Sequence, residues 1–109
     1  MHELAITQEL VAIVADRTGD AQIARVVLEI GKLSAVLPDA IRFCFEACTE
    51  GTPLQGATLD IIETAGAARC RRCEEEVALE RPYGRCRCGS SDLDWISGDE
   101  LRLKHVEVM

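Results

Sequence analysis

The sequence predicts an α+β domain, a three-stranded sheet with two helices, into which a small zinc-ribbon-like domain is inserted. Three observations lead there. Two stretches with helical periodicity alternate with two runs rich in β-branched residues. A group of cysteines, Cys70-x-x-Cys73 and Cys86-x-Cys88, then interrupts the pattern, and a further strand-like run follows it.

The first helix runs from Leu4 to Arg17, with Ile6, Leu10, Ile13 and Val14 on one stripe. The segment from Asp16 to Asp20, with Gly19 inside it, ends that helix. Ile23 to Ile30 reads as a strand, Val26, Leu28 and Ile30 facing one way and Arg25, Val27 and Glu29 the other. Pro38 stands where a second helix begins, because its fixed φ suits the first turn and its missing N–H costs nothing there. Asp39 adds a favourable negative charge to that turn. Ile41, Cys44, Phe45 and Cys48 recur at helical spacing as an apolar stripe, so Cys44 and Cys48 read as small core hydrophobes.

Gly51-Thr52-Pro53 stops the second helix, and Thr58 to Thr64 is the second strand. Ala65-Gly66-Ala67-Ala68 reads as a hinge into the cysteine module, within which Glu74 to Tyr83 is expected to form a short hairpin. After a turn at Ser97-Gly98-Asp99, Glu100 to Val108 gives the last strand. Its apolar residues change face between Leu103 and Val106, which calls for a twist or bulge near Lys104-His105. Pairing of this strand with the first two makes the module an insertion. The expected division is 1–66 plus 97–109 for one domain and 67–96 for the other.

Aromatics are 4% of the chain, so the core must come from Val, Leu, Ile and Ala. A net charge of −7 opposes binding to nucleic acid or anionic lipid unless a local basic patch intervenes. Arg69, Arg71, Arg72, Arg81, Arg85 and Arg87 do gather near the cysteines, and they read first as neutralising thiolates. No apolar run reaches the length of about 18 residues that a membrane helix needs. Six cysteines in a short chain could mean a disulfide framework, but without an export signal metal binding is the better reading, and the expected compartment is the cytoplasm.

Cysteine thiolates bind zinc tetrahedrally, and a two-residue gap lets both sulfurs of one knuckle reach one ion. The segment between Cys73 and Cys86 is long enough to bring Cys86 and Cys88 back to Cys70 and Cys73, which points to a closed structural zinc site. The second knuckle has one intervening residue where the first has two. A redox role for Cys70 and Cys73 is the competing reading, but the strand-to-helix context of a thioredoxin-like motif is missing.

The other candidate site is the amino terminus. His2 is too bulky for ordinary removal of the initiator methionine, so the Met1 amine, the His2 amide nitrogen and the His2 imidazole can chelate one ion through fused rings. Such a set favours a square-planar field, which suits Ni(II) or Cu(II). Glu3 supplies an oxygen or an acceptor that orients the imidazole. His105, on a strand, reads as a half-exposed sheet residue.

Met1-His2-Glu3-Leu4, Val27-x-Glu29-Ile30-Gly31-x-Leu33-Ser34, Phe43-x-Phe45-Glu46, Gly51-Thr52-Pro53-Leu54-x-Gly56-Ala57 and Cys86-x-Cys88-Gly89-Ser90-Ser91-Asp92 follow one another along nearly the whole chain. Together they resemble the HypA/HybF family of nickel metallochaperones for [NiFe] hydrogenase maturation. The resemblance implies an α+β nickel-binding domain with an inserted zinc domain. It implies Ni(II) cargo on Met1 and His2 with Glu3 in support, and structural Zn(II) on Cys70, Cys73, Cys86 and Cys88. The implied partners are a nickel-loading maturation GTPase and the hydrogenase large-subunit precursor, with urease as a further client in some members. The family's second knuckle is Cys-Pro-x-Cys, one residue longer than here. The alternative to a non-enzymatic carrier is a zinc-ribbon nucleic-acid-binding adaptor, favoured by the arginines and opposed by the charge and the lack of interleaved aromatics.

Overall fold

A computed structural model describes residues 2–109. The elements follow in the order α1 (Glu3–Thr18), β1 (Ile23–Gly31), α2 (Pro38–Thr49), β2 (Thr58–Thr64), β3 (Gly66–Cys70), β4 (Glu76–Leu79), β5 (Leu93–Ser97) and β6 (Leu101–Val108). They form two three-stranded sheets, ordered β2-β1-β6 and β4-β3-β5. The chain separates into two compact units, Met1–Leu28 with Val36–Ile62 and Arg102–Met109, and Glu29–Ala35 with Glu63–Leu101.

In the first unit α1 packs on α2. The buried face of α1 is Glu3, Thr7, Leu10, Val11 and Val14. This is a correction to the stripe expected through Ile6 and Ile13, since Ile13 is exposed. Two polar residues extend the buried stripe toward the N-terminus. Thr7 is tolerated there because its hydroxyl donates to the Glu3 carbonyl at 2.7 Å, leaving no bare donor. The helix ends in a left-handed cap, with Gly19 and Asp20 at φ of 63° and the Asp20 N–H donating to the Ala15 carbonyl.

Along α2 the buried residues are Ile41, Phe45 and Thr49, while Cys44 and Cys48 are only half-buried on its flank. Thr49 takes the position a hydrophobe would hold by donating its hydroxyl to the Phe45 carbonyl at 2.8 Å. β1 is the middle strand of its sheet and is buried continuously from Val26 to Gly31, Glu29 included, in keeping with the apolar residues on both of its faces. In β6 the half-buried residues are Leu103 and Val106, three apart, as the predicted change of face requires.

The second unit departs from expectation in two places. The segment read as a hinge is β3, the central strand of its sheet, antiparallel to both neighbours. Its alanines and glycine have weak strand propensity, and they are there because of crowding. A Cβ on Gly66 would lie 2.6 Å from both Leu33 Cγ and the Leu79 carbonyl oxygen. Ala68 is fully buried in a small core with Leu33 and Leu79, flanked by Val77 and Leu93. The hairpin expected within Glu74 to Tyr83 is instead β3 with β4, paired from Gly66↔Leu79 to Arg69↔Glu76 across the first cysteine knuckle.

Candidate metal centres

β3 ends on Cys70, so the strand delivers the first sulfur and the turn into β4 delivers Cys73. Cys86 and Cys88 precede β5, which returns along the other side of β3. The four sulfurs lie within 4.8 Å of one another, with Cys70 3.7 Å from Cys88 and Cys73 3.4 Å from Cys86. Zinc–sulfur bonds of about 2.3 Å in a tetrahedron give sulfur–sulfur edges of about 3.8 Å. The cluster is therefore of the right size for a Zn(II) ion, and it consists of soft donors only. All six cysteines are free thiols.

The short second knuckle keeps the backbone pattern of the first. In the first, the Cys70 N–H donates to the Glu75 carbonyl and the Glu74 N–H donates to the Cys70 carbonyl. In the second, the Cys86 N–H donates to the Ser90 carbonyl and the Gly89 N–H to the Cys86 carbonyl. Each offset is one residue shorter. The residue after the second cysteine has positive φ in both, 64° at Glu74 and 93° at Gly89. A one-residue deletion between the cysteines is thus absorbed while both sulfurs still converge. The first cysteine of each pair is buried and the second exposed.

The N–H of Cys73 aimed at Cys70 is the largest influence on that thiol. With the Arg72 N–H and the neighbouring Cys88 and Cys73 thiols, it outweighs burial and lowers Cys70 to about 6. At Cys73 the Glu75 N–H also lowers the thiol, but the Cys86 thiol, burial and the other two sulfurs together push it up to about 12. One negative charge is accepted readily and further ones are resisted. A cation bound among the sulfurs removes that resistance.

The arginines do not serve mainly as counter-ions to sulfur. Arg71 pairs with Asp94 at 2.7 Å and Asp92 at 3.7 Å, Arg87 with Glu75 at 3.1 Å, and Arg69 with Glu76 at 4.0 Å. Arg85 donates to the Gly89 carbonyl at 2.8 Å. Arg87 also feels the thiolates of Cys86 and Cys73, after its larger interaction with Glu75. These contacts engage four of the six arginines of the cluster with carboxylates or a carbonyl of the same unit, which weakens the case for a nucleic-acid patch.

At the other candidate site, Met1 lies outside the described residues. His2 is exposed at the N-cap of α1, its carbonyl accepting from the Ile6 N–H at 2.9 Å and its side chain making no capping bond. Glu3, by contrast, is buried, and its Oε2 accepts the Leu37 N–H at 3.2 Å. The carboxylate so ties the start of α1 to the residue before α2. Leu37 was not anticipated as part of this region, and its backbone N–H leaves no signal in the sequence. His105 on β6 meets Glu107 at 3.2 Å and takes no part in either cluster.

A family model described as hydrogenase/urease nickel incorporation, metallochaperone, HypA matches residues 1–108. The chain belongs to the HypA family. It is 56% identical over 108 residues to the hydrogenase maturation factor HypA of Nostoc punctiforme, covering 99% of this chain and 96% of that one. With the HypA of Trichormus variabilis the identity is 57% over the same length and coverage. Among solved structures, the nickel metallochaperone HypA from Helicobacter pylori is similar with a TM-score of 0.65 and 28% identity, covering 100% of this chain and 98% of that one. HypA is a family of nickel metallochaperones of hydrogenase maturation. The two helices, two small sheets and four-cysteine cluster of this chain therefore make up a fold similar to that of a solved HypA. No described helix is long and apolar enough to cross a membrane.

Proposed function

We propose that this chain is a cytoplasmic, non-catalytic nickel carrier that binds Ni(II) at its N-terminus and delivers it for maturation of [NiFe] hydrogenase. The observation that carries the reading is an exposed His2 beside a clasped Glu3 in a chain that matches the HypA model from its first residue. The Met1 amine, the His2 amide nitrogen and the His2 imidazole are the proposed nickel donors. Glu3 supports them by holding the start of α1 in place. Zinc, when bound by Cys70, Cys73, Cys86 and Cys88, supplies a tetrahedral cross-link and no redox chemistry. Residues 1–66 plus 97–109 form the nickel-bearing part and 67–96 the zinc-bearing part. The proposed partners are the nickel-loading GTPase of the pathway and the hydrogenase large-subunit precursor.

Nickel titration of the purified protein tests this, repeated with His2→Ala and with one residue added before Met1. Both changes are expected to weaken nickel binding at least tenfold while zinc content stays at one per chain. Binding should also weaken as pH falls, since amine and imidazole must both give up protons. Unchanged nickel affinity in both variants would remove the terminal site.

A further inference from the structure

Among the few aromatics of this chain, Phe43 is 77% exposed, at the middle of α2 and opposite that helix's buried stripe of Ile41, Phe45 and Thr49. An amphipathic helix in a chain with no other use for that face places a polar residue there. Phe43, Glu46, Ala47 and Glu50 stand at i, i+3, i+4 and i+7, so they form one continuous stripe. They line a shallow concavity of about 300 Å³, in which Ala47 leaves room beside the ring. Among the described residues neither Glu46 nor Glu50 has a cationic partner, whereas Asp39 on the same helix is neutralised by Arg42 at 2.8 Å. The stripe is thus an aromatic ring and a notch between two uncompensated carboxylates.

We infer that this face of α2 is the docking surface for a protein partner that presents an aliphatic side chain flanked by lysine or arginine. The inference rests on the carrier reading above and adds where the cargo-exchanging partner sits. Charge decides the class of occupant. A second copy of this chain, joined face to face, would bring four unpaired carboxylates together, and anionic lipid is repelled for the same reason. A cationic protein segment gains both the ring and the two charges. The position suits exchange, because Leu37, just before α2, is tied to Glu3. At 1.5 Å per residue, Phe43 is about 9 Å along the helix from that point.

The test measures binding of the full chain to the purified nickel-loading GTPase and to the large-subunit precursor by calorimetry at low and high salt. Phe43→Ala is compared with the pair Glu46→Lys and Glu50→Lys. Phe43 and Glu46 are exposed positions within α2, where alanine and lysine are good helix formers, and Glu50 is exposed at the C-cap of that helix. Phe43→Ala is expected to weaken one of the two complexes at least tenfold. The double charge reversal is expected to weaken the same complex and to abolish its salt dependence. Zinc content and nickel affinity should be unchanged in all of them. Binding by both variants at the wild-type level overturns the inference, as does a wild-type chain that binds nickel but neither protein. If Phe43→Ala only converts a dimer to a monomer, the occupant is a second copy and the inference is again wrong. Failure of the nickel titration itself would instead remove the carrier reading.

Discussion

The two candidate metal centres differ in how much protein holds them. At the cysteine cluster every donor is anchored, with Cys70 on a strand end and each knuckle closed by a pair of backbone hydrogen bonds. At the amino terminus the His2 side chain is exposed and uncapped, and the hold on the region comes from the Ile6 N–H on the His2 carbonyl and the Leu37 N–H on the Glu3 carboxylate. A site with preorganised donors binds an ion that is not meant to leave. A site whose main donor is free to swing can open without unfolding anything. Under the proposed function the contrast would separate a structural metal from a transferable one, and it can be broken from either side.

Cys70→Ala should have the largest effect. It removes a buried donor of the four, and structural zinc in small modules contributes on the order of 10–16 kcal/mol of apparent folding free energy. Zinc content is expected to drop to near zero, and amide protection to be lost from residues 63–101. Because Leu33 belongs to the core of that unit, protection should also fall at 29–35. Retention of zinc with intact protection would mean that three sulfurs suffice and the cluster is not the anchor of its unit.

Glu3 comes next, and it tests the weakly held side. Glu3→Ala leaves the Leu37 N–H without its acceptor, which should cost about 1–2 kcal/mol in urea unfolding. Glu3→Gln keeps an acceptor but loses the charge assistance and should cost less. Nickel affinity should fall in Glu3→Ala by less than in His2→Ala. If Glu3→Ala instead abolishes nickel binding with unchanged stability, the carboxylate is a ligand and not a clasp.

Side-chain pattern made most of this architecture legible. Pro38 marked the start of α2 and β-branched runs marked β1 and β2, because each carries its signal in the residue itself. The four-cysteine convergence was legible from spacing alone, although the equivalent backbone rings of the two knuckles were not. What was missed is where the reason lies elsewhere in the chain. β3 is built of small residues because Leu33 and Leu79 press on it, so its strand character is set by distant neighbours. The buried side of α1 was misread because Glu3 and Thr7 are polar, and only the partners Leu37 and the Glu3 carbonyl make their burial tolerable. The arginines likewise found carboxylates on strands and turns that the sequence alone does not bring near.

The smallest effect separates the two knuckles themselves. Gly89 has φ of 93° and nothing within 4 Å of where a Cβ would stand, so Gly89→Ala costs only backbone strain. That is about 1–2 kcal/mol for a side chain in this region. Glu74, at the equivalent place in the longer knuckle, already bears that strain at 64°. Glu74→Gly should relieve part of it and raise thermal stability slightly, the gain being offset by the freedom glycine adds to the unfolded chain. The shorter ring has less slack, so Gly89→Ala should also speed zinc transfer to a competing chelator, and Glu74→Gly should leave it unchanged. Equal transfer rates in both variants would mean that zinc retention is set by the sulfurs alone and that the knuckle backbones are interchangeable.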